Sequence, residues 1–375
     1  MGKYTFSLVP DVFEYDHQNV DELNEKRATM GKDPKPPLLT VQQKTLGLKE
    51  KFDNPSSADE IDIPPWARIP TYVKALNETD KYGACHKVIY VLRHGFSLHN
   101  CIEEGVKGNW RSGYKIAYQK EVSLETLEKA FKEAGDPMSP YLKKIIIAGL
   151  TSPGAKIRLH DARLLEEEEA QNLRGLDVND YDVGDFPVPD AMLTSPSERC
   201  LKTTERVYRK VVEDHGGEGR TFQPVVWENL REKRNGDACN YRSSKSDIMA
   251  EHPDYILQEG FAEDDPHESD IERAKNRNME KTESDSDLEE RMRQVLDDIF
   301  DDDKTSVVSL TTHSFSIGAL TKVLGFPCTL REGNMAAFLV KASPLETKEP
   351  EAGREKGESL PVYAVDWVEI IQDLN

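Results

Sequence analysis

The chain has 375 residues, with 49 Lys and Arg against 69 Asp and Glu, so its formal net charge is −20. Because a nucleic-acid binder needs an excess of positive charge on one face, this balance argues against nucleic-acid partners. The sequence has no apolar run near the ~20 residues of a membrane-spanning helix, and its start lacks the layout of a signal peptide. We therefore expect a cytoplasmic protein that does not engage membranes.

The first part of the chain differs in amino-acid composition from the rest. Residues 1–84 hold charged and proline-containing stretches broken by aromatic residues such as Trp66, which favours an extension that wraps a core over an independent domain. Residues 87–92 then form an apolar run rich in β-branched residues, which predicts a strand buried on both faces of a parallel sheet. We predict an extension at 1–84 and one domain at 85–375.

Strands and helices are predicted to alternate through that domain. Ser123 precedes a helical pattern that ends at Gly135, and a second helix is predicted over 161–175. Insertions are predicted at about 101–160 and 258–287, the latter a mobile surface excursion. Further strands are predicted at 191–194, 224–227, 306–310, 335–340 and 361–368, and further helices from Pro196, over 288–300 and up to Gly325. The alternation predicts a three-layer α/β fold, with a mostly parallel sheet and helices on both faces.

Two histidines and two arginines follow predicted strands. Arg93 and His94 come directly after the first buried strand, and His313 follows the strand at 306–310. Arg199 lies in the turn between the strand at 191–194 and the next helix. Because ligand sites in open α/β sheets lie beyond the carboxyl ends of the strands, we expect these side chains to converge. Forked guanidinium donors and helix amides together predict a site for a tetrahedral phosphate.

The motifs around these residues resemble those of the histidine phosphatase superfamily, which contains phosphoglycerate mutases and acid phosphatases. Residues 93–100, RHGFSLHN, match its Arg-His-Gly motif with Asn100 five residues after the glycine. The second arginine motif is matched at 195–199, the second histidine motif at 312–314 and the segment that carries the acid at 230–232. Four segments in the right order, each at a strand end, make the resemblance specific.

The resemblance extends to one branch of that superfamily, the phosphomutase-like proteins common in fungi. It rests on Asp161-Ala162-Arg163-Leu164, Ala170-Gln171, Cys239, Arg242 and segments of the extension including Trp66. Phe96 and Phe315 stand where the branch commonly has smaller or polar residues, and we expect both to crowd or desolvate the pocket mouth. Asn240 and Tyr241 replace an acidic and a basic residue, so the substrate preference of the branch does not carry over.

The resemblance implies a phosphatase that acts on small phosphorylated metabolites. His94 would attack phosphorus and become a phosphohistidine. Glu232 would protonate the leaving oxygen and later accept a proton from water. The predicted phosphate ligands are Arg93, Arg199, His313 and Asn100, with Asn100 equally suited to a hydrogen bond on the helix face. Glu228 and Asp237 lie near Glu232 and are alternative acids.

Other polar residues have plainer interpretations. We expect His99 and His160 to lie outside the chemistry, and the acidic stretch 258–303 to be a solvated face. Cys239 and Arg242 are as well suited to a structural role as to lining the pocket. Scattered cysteines without a Cys-x-x-Cys pair favour free thiols, and the sequence shows no Asp/His cluster with metal-ligand spacing. No metal and no cofactor are therefore expected.

Two alternatives to a phosphatase stay open. A phosphoglycerate-type mutase would need a pocket that retains the leaving group and phosphorylates it again. A phosphate-binding or scaffold protein of the same fold would bind phosphate without turnover. Phe96 and Phe315 favour the scaffold, whereas the complete set of catalytic groups favours an enzyme.

Overall fold

The structure is a computed structural model of the chain. It describes residues 2–15, 38–39, 41, 45–51, 63–135, 137–148, 150, 152, 155–166, 168–170, 186–217, 220–271 and 283–345. The described residues up to Pro344 belong to one compact unit. The strand predicted at 361–368 lies outside the described residues. None of the helices in the described part of the chain is both long and apolar enough to cross a membrane.

The centre of the fold is a seven-stranded sheet with the strand order β1-β9-β2-β8-β5-β6-β7. Its strands are β1 (Tyr4–Leu8), β2 (Cys85–Arg93), β5 (Ala191–Thr194), β6 (Val225–Val226), β7 (Ile256–Leu257), β8 (Val307–Thr312) and β9 (Met335–Pro344). Strands β2, β8, β5, β6 and β7 run parallel, whereas β9 pairs antiparallel with β2 and with β1. A separate antiparallel pair joins β3 (Glu121–Val122) and β4 (Ile157–Arg158).

Helices surround this sheet. They are α1 (Pro65–Thr79), α2 (Leu98–Val106), α3 (Leu124–Glu133), α4 (Pro140–Ala148), α5 (Glu198–His215), α6 (Lys245–Glu251), α7 (Asp285–Asp301) and α8 (Ser314–Val323). The sheet is mostly parallel with helices around it, as the alternating pattern predicts. Strands β2 and β8 are buried along almost their whole length, which explains their continuous apolar runs.

Residues of the predicted extension take part in the main core. Strand β1 pairs along the outer edge of β9, and the Tyr15 hydroxyl accepts a hydrogen bond from the Ala337 amide at 3.0 Å. Phe13 stacks on Tyr15 with ring centroids 5.5 Å apart, and the Trp66 ring packs edge-on against Tyr90 of β2. These contacts explain the aromatic residues in an otherwise polar segment. The division of the chain at residue 84 stays a prediction.

The segment 101–160 builds a second hydrophobic cluster of its own. Helices α2, α3 and α4 contribute apolar side chains such as Ile102, Phe131 and Ile145. Gly105 permits close packing there, because a Cβ at that position would lie 2.0 Å from the Phe131 ring. Ser123 caps α3 by accepting a hydrogen bond from the Thr126 amide, as predicted.

Two elements differ from the sequence prediction. The helix predicted over 161–175 is wrong at its start, because Asp161 has a positive φ of 49° and Leu164 forms an isolated bridge with Ser97. The described helical residues begin only at 168, and 171–175 lie outside the described residues. The Asp161 carboxylate instead accepts hydrogen bonds from the Glu198 and Ser243 amides, both at 2.9 Å.

The predicted excursion at 258–287 is partly packed against the core over 258–271, whereas its mobility stays a prediction. Asp265 is paired with Arg231 at 2.6 Å, and their side chains are only 2% and 4% exposed. The Arg242 guanidinium lies 4.1 Å from the centroid of the buried Phe261 ring and donates to neighbouring carbonyls. Because the Asp265 carboxylate is buried against an arginine, this stretch is not a solvated face along its whole length.

Candidate active site

The carboxyl ends of β2 and β8 bring two histidines together. The strands pair in parallel with Arg93 opposite Thr312, so the next residue of each strand lies at the same edge of the sheet. The His94 amide donates to the Thr312 carbonyl at 3.0 Å, and the His94 and His313 rings meet with centroids 5.1 Å apart. The expected convergence at the strand ends is therefore present.

His94 is held in a neutral form with one ring nitrogen available. Its Nδ1 lies 2.7 Å from the Gly95 carbonyl oxygen, which can only accept, so Nδ1 carries the proton and Nε2 keeps a lone pair. The side chain is 2% exposed. Burial lowers the pKa of His94 well below its ordinary value, and the charges of Arg199 and Arg93 add to the effect. An unprotonated Nε2 is the form that can act as a nucleophile.

His313 takes the opposite tautomer. Its Nδ1 accepts from Arg199 Nη2 at 3.0 Å, so its Nε2 carries the proton and donates to Ser195 Oγ at 2.8 Å. Burial lowers the pKa of His313 well below its ordinary value, with Arg199 as the next cause. His313 also occupies the N-cap position of α8, so its own backbone turns the chain into that helix.

Arg199 lies in the first turn of α5 and is 1% exposed. Its guanidinium donates to the Cys239 carbonyl at 2.6 Å and to Asn240 Oδ1 at 3.3 Å, besides its bond to His313. Its Nε finds no hydrogen-bond partner in the described part of the chain. Among the residues that the structure describes, no carboxylate lies within ion-pair distance of this guanidinium. Within the described residues, Arg199 is therefore a buried positive charge without a carboxylate in ion-pair distance.

Arg93 is engaged differently. Its Nη2 forms an ion pair with Glu332 at 2.7 Å, and its Nη1 donates to the Leu330 carbonyl at 2.7 Å. Its Nε has no hydrogen-bond partner among the residues described. The loop that carries Leu330 and Glu332 also contacts the Arg-His-Gly motif through its backbone, because the Gly333 amide donates to the His94 carbonyl. Nothing in the sequence motif indicated Glu332. A phosphate at this place would share Arg93 with that carboxylate.

The side chain of Glu232 contacts the N-terminus of α8, and the residue is 7% exposed. Its Oε1 accepts from the backbone amides of Lys233, Phe315 and Ser316 at 2.9, 3.1 and 3.3 Å. Its Oε2 receives only a longer contact, 3.4 Å from the Phe315 amide. Burial raises the pKa of Glu232, against the opposing effect of these amides and of Arg199. A fixed carboxyl group with a raised pKa can hold and deliver a proton.

The two alternative acids are committed to arginines. Glu228 pairs with Arg231 at 2.6 Å and with Arg242 at 2.8 Å. The Asp237 carboxylate lies 3.1 Å from Arg111 Nε and also pairs with the terminal nitrogen of that arginine. Both carboxylates are therefore held as structural ion pairs, which leaves Glu232 as the favoured acid.

Asn100 and His99 both lie in the first turn of α2, next to the motif that carries His94. Asn100 Oδ1 accepts from the amide and the hydroxyl of Ser97 at 3.2 and 2.7 Å, in a capping box that begins α2. Contact between Asn100 and phosphate stays a prediction. His99 is 7% exposed and its ring centroid lies 5.8 Å from that of His94. His99 thus lies beside His94, and the expectation that it is outside the chemistry stays a prediction.

The residues of the phosphomutase-like branch are placed as follows. Arg242 is structural, because Glu228 and four backbone carbonyls take up its donors. Cys239 contributes its carbonyl oxygen to Arg199, and burial raises the pKa of its thiol. Phe96 is buried in the second hydrophobic cluster. Phe315 is 45% exposed, with the Lys233 ammonium 5.7 Å from its ring centroid.

A cavity of about 360 Å³ lies beside this group of residues but is separate from it. Apolar side chains of α4 line it together with Asp161, Glu198 and Glu251, whereas none of the predicted catalytic or phosphate-binding residues does. In the part of the chain that the structure describes, Glu198, Glu251 and His252 offer ligand atoms within 4.8 Å of one another, so they could reach one cation. Glu198 is already bonded to His252 at 2.8 Å and to Lys202 at 3.0 Å.

Comparison with known proteins agrees with this geometry. Residues 183–332 match the family model described as "Histidine phosphatase superfamily (branch 1)", a range that contains Arg199, Glu232 and His313. This part of the chain is therefore similar to the histidine phosphatase superfamily, and the curated relatives of the chain are named as phosphoglycerate mutase or phosphomutase-like proteins. His94 precedes the matched range and is placed in the same site by the pairing of β2 with β8.

Several curated relatives and solved structures are similar to the chain. A protein of Arthroderma benhamiae named "Probable phosphoglycerate mutase" is 28% identical over 324 residues, which cover 86% of this chain and 79% of the relative. "Phosphomutase-like protein 3" of Candida albicans is 29% identical over 162 residues, 43% of this chain and 46% of the relative. The ecdysone phosphate phosphatase of Bombix mori is 11% identical, with a TM-score of 0.30 over 72% of this chain and 98% of that one.

Proposed function

We propose that this protein is a phosphatase that hydrolyses small phosphate monoesters through a phosphohistidine on His94. The observation that carries the proposal is Arg199, whose buried charge has no carboxylate partner among the described residues. Because an unpaired buried charge is costly, such a group calls for an anionic ligand. Phosphate fits, since its oxygens match the forked donors of a guanidinium.

The reaction divides into two transfers at phosphorus. In the first, His94 Nε2 forms a bond to phosphorus as the ester P–O bond breaks, and the departing oxygen takes the proton of Glu232. In the second, water attacks phosphorus, its proton passes to Glu232 and the N–P bond breaks, which releases orthophosphate. Arg199 and His313 stabilise the charge on the transferring group, which is the main requirement of phosphoryl transfer.

The nucleophile is tested by substitution. His94→Ala should abolish release of phosphate from an aryl phosphate, whereas His160→Ala, a change at a histidine outside the site, should retain it. The parent chain, quenched during turnover, should carry an acid-labile phosphoryl group at His94. Hydrolysis by His94→Ala at the parent rate would refute the assignment. Phosphate binding without turnover in the parent would instead indicate a scaffold protein.

A mutase is the second candidate, because the relative with 28% identity is named as a phosphoglycerate mutase. The chemistry on His94 would be the same, but the phosphoryl group would return to another oxygen of the retained alcohol. The two activities are separated by incubating the chain with phosphoglycerate and a bisphosphate primer. Release of orthophosphate favours the phosphatase, and formation of an isomer favours the mutase.

A further inference from the structure

The ring of His99 has no part in the reaction described above, although it lies in the same site. It is 7% exposed, and its centroid lies 5.8 Å from that of His94. Burial lowers the pKa of His99 well below its ordinary value, and Arg199 and Arg93 add to the effect. The site therefore holds a further neutral imidazole, and the proposed phosphohistidine chemistry gives it no role.

The capping box of α2 fixes the tautomer of this imidazole. The Ser97 amide donates to Asn100 Oδ1 at 3.2 Å, which identifies that atom as the oxygen. The Ser97 hydroxyl lies 2.7 Å from the same oxygen and must donate its single proton there. Ser97 Oγ can then only accept from His99 Nδ1, which lies 2.6 Å away. His99 consequently carries its proton on Nδ1, and its Nε2 keeps a lone pair.

Within the described part of the chain, the Nε2 atom of His99 has no hydrogen-bond partner. A lone pair is an unusual group in an anion site, because a phosphate dianion offers only acceptors and would be repelled by it. Since the second pKa of a phosphate monoester is near 6, the dianion dominates at neutral pH. A hydroxyl group on the alcohol portion of the substrate can supply the donor that the phosphate lacks.

We propose that His99 is a specificity residue whose Nε2 accepts a hydrogen bond from a hydroxyl group on the alcohol portion of the substrate. The site then selects phosphate esters of polyols over esters of plain alcohols. This inference rests on the proposed phosphatase function, because it assumes that a phosphate ester occupies the site. It assigns His99 to substrate recognition rather than to the transfer step.

Glycerol 1-phosphate and propyl phosphate form a matched pair of probes, because they share a three-carbon chain and differ only in hydroxyl groups. The parent should favour glycerol 1-phosphate by about tenfold in kcat/KM, the effect of one hydrogen bond. His99→Leu should remove this preference, so that the ratio of kcat/KM for the two esters falls to about one. His99→Gln, which retains an acceptor oxygen, should keep part of the preference, and His160→Leu should keep all of it.

Binding separates this inference from the proposed function. In the His94→Ala background, calorimetry should show tighter binding of glycerol 1-phosphate than of propyl phosphate, and His99→Leu should abolish the difference. If His99→Leu weakens both esters equally, or if the parent does not discriminate, the inference is wrong even though hydrolysis stands. If neither ester is hydrolysed but the binding difference depends on His99, the specificity role stands and the phosphatase proposal fails.

Discussion

Replacing Glu232 with glutamine tests the acid assignment and spares the fold. The carboxyl Oε1 accepts three backbone amides, those of Lys233, Phe315 and Ser316, at 2.9 to 3.3 Å. A glutamine amide oxygen can accept the same three bonds, so we expect the free energy of unfolding to change by no more than about 1 kcal/mol. What the substitution removes is the transferable proton at the other carboxyl oxygen.

The size of the effect should depend on the leaving group. For an alkyl phosphate, loss of general acid catalysis should lower kcat/KM by about a hundredfold to ten-thousandfold, which is about 3 to 5 kcal/mol of transition-state stabilisation. A nitrophenolate leaves without a proton, so phosphorylation of His94 by nitrophenyl phosphate should be much less affected. Hydrolysis of the phosphohistidine still needs a base. Glu232→Gln should therefore release nitrophenol in a burst of one per chain, followed by slow turnover.

The assay compares propyl phosphate with nitrophenyl phosphate by rapid quench, with Glu228→Gln as the matched control. Glu228 is the same residue type four positions away, and its pairs with Arg231 and Arg242 make it structural. Its glutamine variant should be less stable and should show no burst. Equal slowing of both substrates by Glu232→Gln without a burst would refute the reasoning, as would a burst in Glu228→Gln.

Three further changes test separate parts of the site. Glu332→Gln should lower the inhibition constant of orthophosphate by about tenfold, because Arg93 loses the carboxylate that competes for it at 2.7 Å. Weaker inhibition would mean that Glu332 positions Arg93 instead. Arg199→Lys should lower kcat/KM by about a hundredfold, since an ammonium lacks the planar fork, and activity near the parent's would contradict the placement of phosphate there. Asp265→Ala should lower the free energy of unfolding in urea by about 3–5 kcal/mol, because it leaves Arg231 buried without its nearest anion, whereas a solvated loop would show almost no change.

The pH profile follows from two opposite shifts. Activity needs His94 unprotonated, and burial lowers the pKa of His94, so the acid limb should lie well below pH 6.5. Activity also needs Glu232 protonated, and burial raises the pKa of Glu232 from 4.5, so the alkaline limb for alkyl esters should move upward from that value. The alkaline limb should disappear in Glu232→Gln with nitrophenyl phosphate in the burst phase. A limb that persists there must belong to another group.

The sequence predicted the parts of the site that depend on strand ends. Continuous apolar residues predict a buried strand. Because the carboxyl ends of neighbouring parallel strands lie at the same edge of the sheet, His94 and His313 could be predicted to lie close together. The partners of Arg93 and Arg231 were not predictable in this way. Glu332 and Asp265 lie in loops far along the chain from their arginines, and only the folded backbone brings them within ion-pair distance.

The acidic composition of 258–271 predicted a solvated face, and the burial of Asp265 was not predictable from it for a related reason. Composition predicts solvation when charges have no partners, but here Arg231 and Arg242 lie beneath the loop and take up its carboxylate and carbonyl oxygens. The 69 Asp and Glu residues therefore include carboxylates that are buried in ion pairs. A count of acidic residues does not show which of them face solvent, because ion pairing is decided by tertiary structure.

Residue type and spacing did not predict which ring nitrogen of each histidine carries the proton. The hydrogen bonds of the folded site identify that nitrogen. His94 and His99 both hold the proton on Nδ1, and His313 holds it on Nε2. The partner that decides each form is a carbonyl, a hydroxyl or a guanidinium. For His99 the signal was present in the sequence, since Ser97 and Asn100 have the spacing of a capping box that closes around it. A helix cap beside a catalytic motif can thus set the proton position of a ligand-binding residue as well as begin the helix.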